Sequence, residues 1–101
     1  MEKNAFKIPQ IAGAGQVVAY TGTAGTSTAL PAGTNSIWIF CTSIAHVKVS
    51  TAGTAATTAD IALPASVPVI IDVDSSMGPW RVSAVQSAAG GNLHVCPLAY
   101  G

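Results

Sequence analysis

Val67-Pro68-Val69-Ile70-Ile71-Asp72-Val73-Asp74 is the stretch on which the fold turns. Val67, Val69, Ile71 and Val73 fall on one side of an extended chain, and Pro68, Ile70, Asp72 and Asp74 on the other. A period of two, β-branched residues at the inward positions and carboxylates opposite them describe a strand with one face in a core. Pro68 has no N–H to give to a ladder, so the strand lies at a sheet edge or starts pairing beyond that residue.

The same pattern continues on both sides. Ile37, Ile39 and Cys41 alternate with Trp38, Phe40 and Thr42, and both sets are largely apolar, which predicts a strand covered on both faces, one cover being a candidate for another subunit. Further strands are expected over Gln16–Tyr20, Ser36–Thr42, Ala45–Ser50, Trp80–Gln86 and Asn92–Leu98, with weaker ones over Ser27–Leu30 and Asp60–Leu63. In Ala45–Ser50, Val47 and Val49 point inward and His46, Lys48 and Ser50 outward. Pro31-Ala32-Gly33, Met77-Gly78-Pro79 and Gly90-Gly91-Asn92 are turn chemistry between these runs. Ser50–Ala59, STAGTAATTA, reads as a long exposed loop, because Gly53 and its threonines outweigh the helix preference of its alanines. The expectation is an all-β domain, a small antiparallel β-sandwich of jelly-roll type.

With 101 residues the chain has room for one such domain. Residues 1–14, which carry Phe6, Ile8 and Ile11, read as an N-terminal arm before a sandwich of residues 15–101. Such an arm either tucks along its parent domain, the favoured reading, or inserts into a neighbour. Only 8 % of the residues are charged, against roughly 25 % in an ordinary soluble domain, and the formal net charge is zero. Beyond Glu2, Lys3 and Lys7 the charges are Lys48, Asp60, Asp72, Asp74 and Arg81. A neutral surface of small residues costs little to desolvate and suits a subunit packed against neighbours. Without a basic stripe there is nothing to neutralise phosphates, so nucleic acid is not an expected partner. The apolar runs are far too short for a membrane helix, and no apolar stretch precedes Pro9 as a secretory signal would require. Cytoplasmic synthesis follows, and Cys41 and Cys96 are then more readily packed thiols than a bridge, although sequence leaves that open.

Catalytic equipment is not expected. Serines, His46, His94, Asp72 and Asp74 are present, but no serine sits in a G-x-S-x-G turn. Asp72 and Asp74 read as a solvated strand face. His46, His94, Cys41 and Cys96 show no C-x-x-C, H-x-x-x-H or H-E-x-x-H spacing, so neither a metal nor a cofactor is expected. Trp38 and Trp80 stand out in so plain a sequence. Trp80 is assigned to the core, and Trp38 to core or interface.

Leu63-Pro64-Ala65-Ser66-Val67-Pro68, Arg81-Val82-Ser83-Ala84-Val85-Gln86 and Gly90-Gly91-Asn92-Leu93-His94-Val95 lie in that order after a strand and a Thr/Ala loop. This arrangement, from His46 onward, resembles small virion proteins of tailed bacteriophages. The resemblance implies a structural role in head or tail and supplies no catalytic residue. The leading expectation is a capsid decoration or cement protein, made in the cytoplasm of a bacterial host. It would bind the major capsid protein on the outside of the shell and its own copies as a homo-oligomer, with a trimer as the guess. Phe6, Ile8, Ile11 and Trp38 are the expected contact residues. The alternatives are a tail, tail-fibre or head-tail connector component and, from another class, a carbohydrate-binding or adhesin module that stacks Trp38 or Tyr20 on a sugar.

Overall fold

In the computed structural model, which describes residues 9–100, short alternating runs become nine strands: β1 (Pro9–Ile11), β2 (Gln16–Tyr20), β3 (Gly25–Thr26), β4 (Ser36–Cys41), β5 (Ala45–Ser50), β6 (Ile61–Leu63), β7 (Val69–Asp72), β8 (Arg81–Gln86) and β9 (Gly91–Tyr100). Every pairing is antiparallel, and the pairs nest: β2 with β9, β3 with β8, β4 with β7, β5 with β6. A chain paired in this way is one long hairpin with its apex in the loop 51–60. Rolling the hairpin brings β9 beside β4 and β8 beside β5, which closes two sheets. One has the order β2-β9-β4-β7, with β1 also on β9, and the other β3-β8-β5-β6. This is a jelly-roll sandwich.

The inner faces supply the core. Tyr20, Leu30, Ile37, Ile39, Cys41, Ala45, Val47, Leu63, Val82, Ala84, Leu93 and Val95 form one buried cluster. Val69, Ile71, Val73 and Trp80 pack against it half-buried, so the alternation of β7 and the place of Trp80 follow the sequence pattern. The corner between β4 and β5 is fixed by Tyr20, whose hydroxyl donates to the Ser43 carbonyl at 2.6 Å. A side chain at Gly91 would run into Ser43, Thr42 and this hydroxyl, so the start of β9 needs glycine.

Three expectations are corrected. The weak strand expected at Ser27–Leu30 is displaced to Gly25–Thr26. The Val82 N–H bonds to the Ser27 side-chain oxygen at 3.0 Å instead of a backbone carbonyl, which ends the regular ladder there. Val67 is 47 % exposed and lies outside the core. Ser66 just before it adopts a positive φ of 61°, and pairing starts only at Val69, after Pro68. The loop 51–60 is not wholly exposed. It folds back over the outer face of the β3-β8-β5-β6 sheet, where Ala56 is buried and donates its N–H to Ser83 Oγ at 2.9 Å.

Candidate functional site

The two outer faces of the sandwich differ. On the β3-β8-β5-β6 sheet the chain covers itself with polar contacts. Ser83, 1 % exposed, accepts from Ala56 N and from Thr26 Oγ1 and donates to the Gly25 carbonyl. Lys48 pairs with Asp60 at 3.4 Å, and His46 Nδ1 lies 2.9 Å from the Asp60 carbonyl oxygen. The hydrogen bond from the Thr57 backbone, helped by Lys48, holds the Asp60 carboxyl below its ordinary value. These groups tie the loop to the sheet and leave little of that face for a partner.

The outer face of the β2-β9-β4-β7 sheet has a largely apolar centre; at one end Asp72 shares it, two residues beyond Ile70 on β7, and the outward Ser36 and Leu98 are buried. Register places Trp38 between Ile70 on β7 and Cys96 on β9, Phe40 beside His94, His94 beside Val17 on β2, and Ile11 on β1 beside Leu98. The inward neighbours on β4, Ile37, Ile39 and Cys41, are sealed in the core, which obliges Trp38 and Phe40 to point the other way. The Trp38 and Phe40 rings stack in parallel with centroids 5.8 Å apart, and His94 meets Phe40 edge-on. Ile11, Val17 and Ile70 are 74 %, 63 % and 53 % exposed. Ile11, Trp38, Cys96 and Leu98 line a groove of about 330 Å³. None of these eight side chains carries a fixed charge.

Of the four expected contact residues, the fold brings Ile11 and Trp38 together in this groove, while Phe6 and Ile8 lie outside the described residues. Within the 1–14 segment, residues 9–11 are β1, laid against the end of β9. The alternation of β4 already set Phe40 on the same side as Trp38, without deciding which side faces out. Val17, Ile70, His94, Cys96 and Leu98 join the face only through non-local register, for which a single sequence carries no signal.

Tyr20 is 1 % exposed with its hydroxyl bonded to Ser43, so it offers no ring to a sugar. The groove that holds Trp38 is lined by hydrocarbon, sulfur and an indole, with almost nothing to bond sugar hydroxyls. His46 and His94 sit on the outer faces of different sheets and cannot share a ligand. Cys41 faces the core, where burial pushes its thiol up, and Cys96 faces outward; both are free. Among the described residues no three His, Cys, Asp or Glu side chains gather where a metal could be held. Asp74 is engaged by the Ser76 hydroxyl and N–H, which hold its carboxyl below the ordinary value. A cleft of about 480 Å³ at one end of the sandwich lies between the turn at Pro31–Thr34 and the loop at 75–80.

No family model, curated protein or solved structure matches this chain.

Proposed function

We propose that this chain is a structural subunit of a phage virion, a decoration or cement protein that binds the outside of the capsid and adds interface free energy to the shell. The observation that carries this reading is the open apolar face containing Ile11 and Trp38, opposite a face that the protein closes with its own loop. An exposed patch of this kind on a chain with only 8 % charged residues is the surface of a subunit awaiting a neighbour. The jelly roll is a common architecture of capsid proteins but serves lectins too, so fold alone would not choose. The choice rests on the apolar lining of the groove and on the resemblance of the Leu63–Pro68, Arg81–Gln86 and Gly90–Val95 segments to phage virion proteins. A cement subunit touches both the shell and its own copies, and symmetry multiplies small contacts into a large effect.

The test is to count this chain in purified particles by quantitative mass spectrometry and to locate it by cryo-electron microscopy. Copies in the hundreds over the shell support decoration. About a dozen or fewer at one vertex would reassign the chain to the tail or connector, and absence from particles would overturn the virion reading. Removal of residues 1–8 leaves β1 in place, and it is expected to weaken attachment to particles while the sandwich stays folded. Undiminished attachment would take Phe6 and Ile8 out of the mechanism.

A further inference from the structure

At one end of the sandwich β1 and β4 begin and β7 and β9 finish, with Pro9 set against Tyr100 and Ser36 against both Leu98 and Asp72. The cleft of about 480 Å³ lies at this same end, because the turn at Pro31–Thr34 leads into β4 and the loop at 75–80 leaves β7. Its volume is that of sites that bury an organic group, roughly 300 to 1,000 Å³. Pro31, Ala32, Met77, Pro79 and Trp80 give it mostly hydrocarbon walls, and Met77 is 57 % exposed. Three of its four polar side chains are already spent within the chain. Thr34 Oγ1 donates to the Pro31 carbonyl at 2.7 Å, Ser76 Oγ to the Asp74 carboxylate at 2.7 Å, and Trp80 Nε1 to the Asp74 carbonyl at 2.9 Å. An occupant of the cleft is therefore apolar, a condition that a sugar does not meet.

The chain's own arm starts beside this cleft. β1 runs inward from Pro9 to Ile11, so the residues before Pro9 head out past Tyr100, and a proline disfavours the helical region at the residue ahead of it, Ile8. That direction leads away from the Trp38 groove and toward the cleft. Since β1 and β4 flank β9, about 10 Å separates Pro9 from the near wall of the cleft and about 14 Å from the end of β7. At about 3.4 Å per residue, Phe6 reaches about 10 Å from Pro9 and Lys3 about 20 Å. Phe6 is the one aromatic residue of the arm, and Ile8 adjoins the anchor too closely to enter. The fixed side-chain charges of the arm are Glu2, Lys3 and Lys7, two cations against one anion, while Asp72 closes β7 and Asp74 follows it. Arg81, also at this end, lies against Gly53 on the outer side of the other sheet.

From this we infer that the end cleft is the docking site of residues 1–8 of the same chain, with Phe6 seated between the Pro31 turn and Trp80 and Lys3 beside the carboxylates of Asp72 and Asp74. A tether this short gives the arm an effective concentration of about 1 mM or more at its own cleft, so in dilute solution the arm of another copy does not compete. The inference concerns the free chain and leaves the sheet face around Trp38, on which shell binding rests, uncovered. Shell contact through Phe6 then begins with its release from the cleft.

Nuclear Overhauser spectra of the full chain at about 0.1 mM, well below that effective concentration, test it. The Phe6 ring protons are expected to show contacts with the Met77 and Trp80 side chains. A sample that mixes labelled and unlabelled copies, filtered for contacts between copies, is expected to show none. Trypsin gives a second reading, because Lys3 and Lys7 lie in the arm. Cleavage after Lys7 is expected to be at least about tenfold faster in Phe6→Ala than in the parent, since cutting tracks the undocked population. Ala32→Trp, which fills the cleft from an exposed position outside the strands, is expected to have the same effect. No contact of Phe6 at the cleft, contacts found only between copies, or cleavage of both variants at the parent's rate would each overturn the proposal.

Discussion

Replacing Ser83 by alanine tests the asymmetry between the two outer faces. The Ser83 hydroxyl, itself 1 % exposed, accepts the Ala56 N–H at 2.9 Å and the Thr26 hydroxyl at 3.1 Å, and donates to the Gly25 carbonyl at 3.2 Å. Ser83→Ala strands the Ala56 N–H in a buried site, a penalty of about 1 to 3 kcal/mol. The Thr26 hydroxyl belongs to an exposed residue and turns to water at little cost. The lost oxygen leaves too small a void to matter. The expected loss is therefore about 2 kcal/mol, equivalent to a urea midpoint lower by about 1 M for a domain of this size. Amide exchange adds position to this energy, because the Ala56 N–H should become fast while the β4 and β9 amides keep their protection. Thr26→Val, which removes only the exposed partner, should cost less than about 1 kcal/mol. A Ser83→Ala protein that loses under about 0.5 kcal/mol, with Ala56 exchange unchanged, would show that this bond does not hold the loop over the sheet.

Other consequences are more direct. Ile39→Ala, at a fully buried position in β4, should lower stability by about 2 to 5 kcal/mol in urea titration, and a loss under about 1 kcal/mol would contradict the packing described. Tyr20→Phe removes the hydroxyl that bonds the Ser43 carbonyl and N–H, and a loss of about 1 to 2 kcal/mol with unchanged far-ultraviolet circular dichroism is expected. Asp60 and Asp74 have carboxyl pKa values held below the ordinary 3.8, so the stability they add is complete above that value and disappears as the pH falls below it. Urea midpoints measured from about pH 5 down to about pH 2 should decline, and Asp60→Asn should flatten part of that decline. An Asp60→Asn protein with the parent's full pH slope would remove Asp60 from the account.

Several elements were legible because their cause is local. Gln16–Tyr20 and Ala45–Ser50 are strands with the bounds the alternation gives them, and Pro68 delays pairing at an edge strand as a residue without an N–H must. Where a side chain competes with the backbone, periodicity misleads: the Ser27 hydroxyl takes the Val82 N–H and breaks a ladder that the run Ser27–Leu30 appeared to promise on paper. The loop 51–60 misled for the opposite reason. Its letters are those of an exposed linker, and it is held on the sheet by partners elsewhere in the chain, Lys48, His46 and the Ser83 hydroxyl twenty-seven residues away from Ala56.

By itself the sequence determined the class of the protein, an all-β sandwich with few charges, and it marked β4 as apolar on both sides, because alternation and composition act over a few residues. It also named Ile11 and Trp38 as candidate contact residues, without placing them near each other. The tertiary structure decided which face is open. The rolled hairpin brings β9 beside β4, so that residues as distant as Ile11, Val17, Trp38, Ile70 and Cys96 share one surface, while the returning loop closes the other. Strand order and register are non-local choices, made by which pairing buries the most apolar surface at once, and no stretch of the chain carries that choice alone.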